Sequence, residues 1–397
     1  IKLFQSTRKS NIPNLTDLDG FFNSLNNKLK GLDRHTDKHE YLKISKENAK
    51  IIRERVLKYL MVRRTRKEIE QYYGEDLKTQ GMKFPEVVNP TPVFYEFNSE
   101  ESQIFSSTVT MITEKFKYSR YTPFLYLKNK TADQQGQKNM MKFMRMLLIK
   151  RLESSFYAFQ KTLDRFIFSY EHFINELQNN QTVYVSKKYT QKIFDYLEQD
   201  DFESIEKIIE SGKADKYDGA DFDDNFIEDL QYDLQTLKQI RDLWKTVTRD
   251  PKILAFKNKL AKDPVIKDSK LIIFTESQET ARYLYENLQD IFPNQIIKFS
   301  GENSSKEREE VMNNFDDNAK NKKDTYKVLI TTDILSEGTN LHRSNVIINY
   351  DIPWNPIRIM QRVGRINRVD TKFDKIYTYT FFPTDQSNDE IKLRECA

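Results

Sequence analysis

Residues 271–299 read LIIFTESQETARYLYENLQDIFPNQIIKF, and this stretch decides the fold. Leu271 to Phe274 is a short, wholly apolar run of strand length. Thr280 to Phe292 follows with Ala281, Leu284, Leu288 and Ile291 at helical spacing, and Ile296 to Phe299 reads as a second strand. The alternation continues to the end of the chain. Ser304 to Phe315 predicts a helix capped by Ser304 or Ser305, and Lys327–Thr331 and Asn345–Tyr350 predict two more strands. A helix then starts at Pro356, a residue suited to a first helical position, and Ile376–Phe382 reads as a last strand. Strands with little polar alternation, separated by helices, imply an α/β fold with a parallel sheet covered on both faces.

Ligands of such sheets gather at the carboxyl ends of the strands. Polar segments fall there: Thr275-Glu276-Ser277, Ser300-Gly301-Glu302, and Thr332-Asp333 through Gly338-Thr339-Asn340. The helix after the fourth strand carries Gln361-Arg362-Val363-Gly364-Arg365-Ile366-Asn367-Arg368. Gln361, Arg365 and Arg368 have i, i+4, i+7 spacing, which predicts one shared helix face. Paired guanidiniums held at one point suit a triphosphate, because arginine stays charged and meets phosphate oxygens with a planar fork. The other reading of the octapeptide is a solvated basic helix face.

With these elements in order, residues 270–370 resemble the second RecA-like lobe of superfamily 2 helicases, nearest to the Snf2-like and bacterial RapA-like translocases. Lys270–Ser277 is similar to motif IV, Phe299-Ser300-Gly301 to the segment after it, Ile330–Leu341 to motif V, and Gln361–Arg368 to motif VI. The resemblance implies that Arg365 and Arg368 reach an ATP held by another lobe, with Gln361 opening the motif. It implies that Glu337, Gly338 and Asn340 couple nucleotide to nucleic acid. It also implies that Thr275, Ser300, Gly301 and Thr332 contact a phosphate backbone, which hydroxyls and N–H groups at helix starts bind without reading sequence. Gly338 and Gly364 are expected to allow close backbone approach. Val369-Asp370 departs from the Gly-Gln that usually follows motif VI in Snf2 proteins.

A complete motor also needs a phosphate-cradling Gly-x4-Gly-Lys-Ser/Thr loop and an acidic Mg²⁺ motif. Gly212-Lys213 lacks the surrounding pattern, and the chain opens at Ile1 without Met. The expectation is a C-terminal piece of a larger enzyme: ATP with Mg²⁺ held mainly by a first RecA-like lobe outside this sequence, and no turnover by this piece alone. The expected partners are that lobe and nucleic acid, duplex DNA first, with RNA or a non-catalytic nucleic-acid scaffold as alternatives.

The remaining sequence divides into two spans. Residues 1–90 hold 19 Lys/Arg against 12 Asp/Glu, a surplus that phosphates would meet favourably and that a solvated, salt-bridged helix explains equally well. Within them, Arg53–Tyr73 reads as a basic helix whose Arg63-Arg64 resembles an Arg-Arg segment of Snf2-like proteins. Phe84-Pro85, Pro90 and Pro92 read as an extended linker. Residues 91–265 read as a helical insertion, with one helix over Met140–Leu163, core aromatics along it, and another over Asp229–Trp244. Lys150-Arg151-Leu152-Glu153-Ser154-Ser155 resembles a run in large bacterial helicases and reads as an ion-paired helix. The acidic stretch from Asp215 to Asp229 lacks calcium-loop spacing and reads as a solvated loop. His35 and His39 lack further ligands, so no metal is assigned. The third span, 266–397, is the RecA-like lobe. Charged residues at 31%, hydrophobic ones at 38% and a single cysteine, Cys396, suit a soluble cytoplasmic protein, and the family resemblance implies a bacterial one.

Overall fold

The computed structural model describes residues 9–13, 15–32, 37–60, 66–129, 134–185, 215–300, 304–332, 339–353 and 355–382. These fall into two compact units, Ile1–Gly81 and Met82–Ala397.

In the first unit, strands β1 (Lys9–Ile12) and β2 (Leu15–Asp17) form a small antiparallel hairpin. Helix α1 (Leu18–Asn27) follows, its Asp17 cap accepting from Gly20 N–H. Helix α2 (Lys38–Ile52) runs on into a π-helical turn over Arg53–Leu57. Ile12, Leu15, Leu18, Phe21, Leu25 and Val56 make its core. Helix α3 covers Arg66–Thr79, so the expected basic helix exists on both sides of Arg63 and Arg64, which themselves lie outside the described residues.

The second unit opens with two short strands, β3 (Glu86–Val87) and β4 (Thr91–Val93). The helical part comprises α4 (Ser99–Thr110), α5 (Gln134–Ser154) and α6 (Phe156–Asn180), then a hairpin of β5 (Thr182–Val185) with β6 (Asp215–Asp218), then α7 (Asn225–Trp244). Helices α8 (Pro251–Lys262) and α9 (Pro264–Asp268) lead into β7 (Leu271–Phe274) and α10 (Gln278–Leu288). The remainder is β8 (Ile296–Phe299), α11 (Ser305–Phe315), β9 (Val328–Thr331), β10 (Val346–Asn349), α12 (Pro356–Ile366) and β11 (Lys375–Phe381).

The sheet order is β3-β11-β10-β7-β9-β8, with β4 also on β11, and every pairing is parallel. All four residues of β7, β9 and β10 are buried, as strands covered on both faces must be. One face packs on α8 and α10 through Phe256, Ala281, Leu284 and Leu288. The other packs Ile272, Phe274 and Ile347 against Val311, Phe315 and Ile366. Each such side chain contributes roughly 1.5–3 kcal/mol on burial. This is the parallel sheet covered on both faces that the alternation predicted.

Four local expectations need correction. The linker with Pro90 and Pro92 is not a tether: its two strands complete the sheet on β11, where an edge position tolerates proline. The first unit therefore closes at Gly81 rather than near residue 90. Ile291 is 39% exposed because α10 has ended at Leu288. The single helix expected over Met140–Leu163 is two, since Ser155 stands in extended backbone and caps α6 by accepting from Ala158 N–H. The acidic stretch is ordered: Asp215–Asp218 is β6, and Asp229 in α7 accepts from Lys117 and Tyr126. The helical part has its own aromatic core around Phe143, Phe159, Tyr170, Phe226 and Trp244. Buried Asp233 accepts from the N–H groups of Lys117 (2.7 Å) and Ser119 (2.8 Å), holding Tyr118 between them in a left-handed conformation.

Candidate functional site

The carboxyl ends of β7, β9 and β8 place three of the expected phosphate-contacting residues in a row. Thr275 N–H donates to Thr331 O at 3.1 Å, and Thr332 N–H donates to Phe299 O at 3.4 Å, next to Ser300. Gly301 lies outside the described residues, as do Glu337 and Gly338. All three hydroxyl residues are buried, and Thr275 turns inward, where its hydroxyl donates to Asp351 Oδ2.

Asp351, two residues past β10, is a hub that sequence reading missed. Its Oδ2 also accepts from Glu276 N–H (3.0 Å) and Ser154 Oγ (2.8 Å), and its Oδ1 from Lys252 Nζ (3.1 Å). Burial pulls this carboxyl upward, but Lys252, the Thr275 hydroxyl, Glu276 N–H and Ser154 together hold it below the usual carboxylate range. Lys252 Nζ also donates to the carbonyls of Glu153 (2.7 Å) and Ser154 (3.1 Å) and stands 4.4 Å over the Tyr350 ring. Next to it, Lys150 pairs with Glu276 at 2.6 Å, and Ser155 Oγ meets Thr280 Oγ1 at 3.0 Å. The Lys150–Ser155 run is therefore ion-paired as expected, and its partners lie at the strand tips of the parallel sheet. The junction of α5 and α6 is bolted there, around a cleft lined by Leu147, Lys150, Lys252, Tyr350 and Phe382.

Glu279 closes this arrangement between Arg165 (2.5 Å) and Arg151 (3.8 Å). Burial raises its pKa, yet the two guanidiniums outweigh burial and bring it down to about 2. A depressed carboxylate stabilises the fold above its unfolded pKa and loses that contribution as pH falls through the folded one. Glu279→Gln is expected to cost on the order of 2–3 kcal/mol near neutral pH. That difference should shrink steadily between the ordinary glutamate range and about pH 2. Urea melts of both proteins at stepped pH check this; a pH-independent difference would reject the ion-pair origin.

The arginines form a second, separate group. Helix α12 begins beyond the carboxyl end of β10, capped by Asn355 with Pro356 in its first turn, and runs back along the sheet for about 16 Å. Its inner face is Arg362 and Ile366, both fully buried. Arg362 donates to Asn349 Oδ1 at 2.9 Å and Asp351 O at 3.3 Å and lies 5.0 Å over the Phe274 ring. The phase of Arg362 with Ile366 was the one available signal for this anchor, and the neighbouring arginines masked it. Gln361 is exposed and Arg365 half-buried. Arg365 Nη1 reaches Thr339 O at 3.5 Å, and its carbonyl accepts from Leu341 N–H at 2.9 Å. The arginine end of the helix thus meets the Thr339–Leu341 segment, beside half-buried Asn340, on the way into the amino end of β10. The candidates do not gather at one set of strand tips.

Arg368 does not share a helix face with Gln361 and Arg365, because α12 stops at Ile366. Asn367 (φ −80, ψ 80) turns the chain so that it can re-enter the sheet at Lys375. Arg368 sits on the following turn with its Nε buried and without a hydrogen-bond partner among the described residues. A Cβ placed on Gly364 would meet open space, so close approach within this chain does not explain that glycine. Among the described residues no cluster of His, Cys, Asp and Glu is placed to hold a metal, and no helix is long and apolar enough to cross a membrane.

Residues 253–370 match the helicase conserved C-terminal domain family. The uncharacterized ATP-dependent helicase YqhH of Bacillus subtilis is 35% identical over 144 residues, 36% of this chain and 23% of that protein. The ATP-dependent RNA helicase dbp2 of Aspergillus clavatus is 28% identical over 152 residues, 38% of this chain and 25% of its own length. The chain thus spans about a quarter of the curated relatives it matches. Among solved structures, the C-terminal part of the Fun30 ATPase domain aligns over 80% of this chain and 90% of its own, at 16% identity and a TM-score of 0.41. The motif order, the all-parallel sheet and the matched span make residues 253–370 a helicase conserved C-terminal domain, the RecA-like C-terminal lobe of a superfamily 2 helicase.

Proposed function

We propose that this chain is the C-terminal part of an ATP-dependent DNA helicase or translocase. Arg365 and Arg368 act as its arginine fingers, with Gln361 one helical turn before Arg365. The observation that carries this reading is the seating of Arg365 against Thr339–Leu341, with Arg368 on the next turn. Motif V and motif VI residues thereby share one flank of the lobe. ATP with Mg²⁺ supplies the phosphoryl group and the metal that neutralises its oxygens. Both are held mainly by a first RecA-like lobe outside this sequence. This chain's part is to hold two planar cations where charge develops and to exclude water when the lobes close. Asn340, with Glu337 and Gly338, couples nucleotide to nucleic acid; Ser300 and Thr332 at the strand tips, together with Gly301, supply this lobe's half of the phosphate track, and Thr275 acts through Asp351. Arg63 and Arg64 are assigned a phosphate contact of their own, apart from this track. The Asp351 hub fixes the helical part to the tip of β7, which supports a motor whose helical part is carried with the lobe.

RNA is the second reading, favoured by the relative named as an RNA helicase. Competition binding to this chain with duplex DNA, single-stranded DNA and RNA of equal length separates the two. Preferential competition by duplex DNA is the expected result. Preference for RNA selects the second reading, and absence of binding to any of them refutes the phosphate track.

A further inference from the structure

His342 has no part in the reading above, and its surroundings are unusual. Its side chain is 1% exposed, with Nδ1 3.6 Å from Asp316 Oδ1 and Nε2 3.6 Å from Asp370 Oδ2. Neither ring nitrogen has a hydrogen-bond partner among the described residues. Buried polar atoms are nearly always paired, and here a shift of a few tenths of an ångström at either carboxylate would complete a bond. The ring therefore lies between two acceptors, just outside bonding distance of each.

The two acceptors belong to different elements. Asp316 caps α11, whose end is fixed: Arg343 N–H donates to Phe315 O at 3.0 Å, and Arg343 Nη1 donates to the carbonyls of Asn313 (3.2 Å) and Lys323 (2.6 Å). Asp370 stands two residues after Arg368 on the turn that leaves α12. Thr371 ties that turn back on both sides, its N–H donating to Arg368 O at 3.3 Å and its hydroxyl to His342 O at 3.4 Å. Asn318 Nδ2 donates to Asp370 Oδ2 at 2.9 Å. Burial draws the Asp370 carboxyl upward, but Asn318, His342 and Arg368 more than offset it and keep it below the usual carboxylate range. Asp370 is also where the sequence departs from the Snf2 pattern after motif VI, so the departure and the histidine meet in space.

We propose that His342 is a positioning residue for Arg368: braced on Asp316, it sets through Asp370 where the turn carrying that arginine stands. The inference rests on the finger role assigned above. A brace of this kind leaves nucleotide affinity alone and acts on the geometry of the charged fork, where misplacement by about 1 Å can cost up to about 100-fold in rate.

The test is nucleic-acid-stimulated ATP hydrolysis by the full-length protein carrying His342→Ala, Asp370→Ala, both, and each combined with Arg368→Ala. The expected result is a loss of roughly 10- to 100-fold in kcat for each single variant with KM for ATP little changed. The double variant should be no worse than either single, and neither change should lower kcat further once Arg368 is alanine. His342→Gln, whose amide keeps one donor at the same place, should recover part of the rate and serves as the second variant if alanine prevents folding. Wild-type kcat in His342→Gln and His342→Ala, or losses that multiply with that of Arg368→Ala, would overturn the positioning role while the finger role stands. Full activity in Arg368→Ala would overturn both.

Discussion

Arg365→Ala in the full-length protein is expected to abolish nucleic-acid-stimulated ATP hydrolysis while nucleic-acid binding survives. An arginine finger is worth on the order of 10³–10⁵ in kcat, because the fork meets charge that develops only in the transition state. Binding survives because Ser300 and Thr332 lie at the carboxyl tips of β8 and β9, whereas Arg365 sits on the returning end of α12. Arg365→Lys is expected to recover little, since an ammonium lacks the planar pair of donors. Steady-state ATPase rates alongside nucleic-acid titration decide the matter. Turnover at the wild-type rate in Arg365→Ala would remove the finger assignment and with it the motor reading of this lobe.

Asp351→Ala carries the largest expected effect on stability. Asp351 and Lys252 are each 8% exposed in the side chain, so removing the carboxylate leaves a buried ammonium without its counter-charge. Breaking such a pair typically costs about 3–5 kcal/mol. Ser154 Oγ, the Thr275 hydroxyl and Glu276 N–H lose an acceptor at the same time. Lys252→Met combined with Asp351→Leu should be far milder, because an apolar pair of similar volume carries no desolvation penalty. Denaturant titration of the three proteins measures the difference. If Asp351→Ala costs under about 1 kcal/mol, the value of an exposed pair, the hub is not what joins the helical part to the sheet. Because the hub also orients Thr275 and Glu276, a surviving Asp351 variant should bind nucleic acid less tightly as well.

Much of the lobe was legible because its signals are local. Ser304 forms a capping box with Glu307, Asn355 and Pro356 start α12, and Leu271, Ile296, Val328 and Val346 each open a strand close to the expected position. Caps and apolar runs act over a few residues, so one sequence carries them. The misreadings share one cause. Ser155 looked like one more helical residue, and only the demand that α6 turn onto α10 makes it a cap. Pro90 and Pro92 looked like a tether because a strand added to a sheet edge has no periodicity of its own over two or three residues. Arg362 looked like a member of the basic face, although its cost of burial is met by Asn349 and the carbonyl of Asp351. The arginine cluster was visible as composition, but its division into an α12 residue and a turn residue was not.

The sequence by itself determined the parallel sheet, the succession of strands and helices from Leu271 onward, and which segments carry hydroxyls and guanidiniums. Periodicity and capping require no distant partner. Tertiary structure alone decided which of those polar groups face inward and which stay nearer the surface. Thr275 and Arg362 are drawn into the lobe by Asp351 and Asn349, and Arg368 is set on a turn beside His342 and Asp370. The physical reason is that a buried polar group must find its partner wherever the fold brings one. Here the partners lie 11 to 197 residues away along the chain.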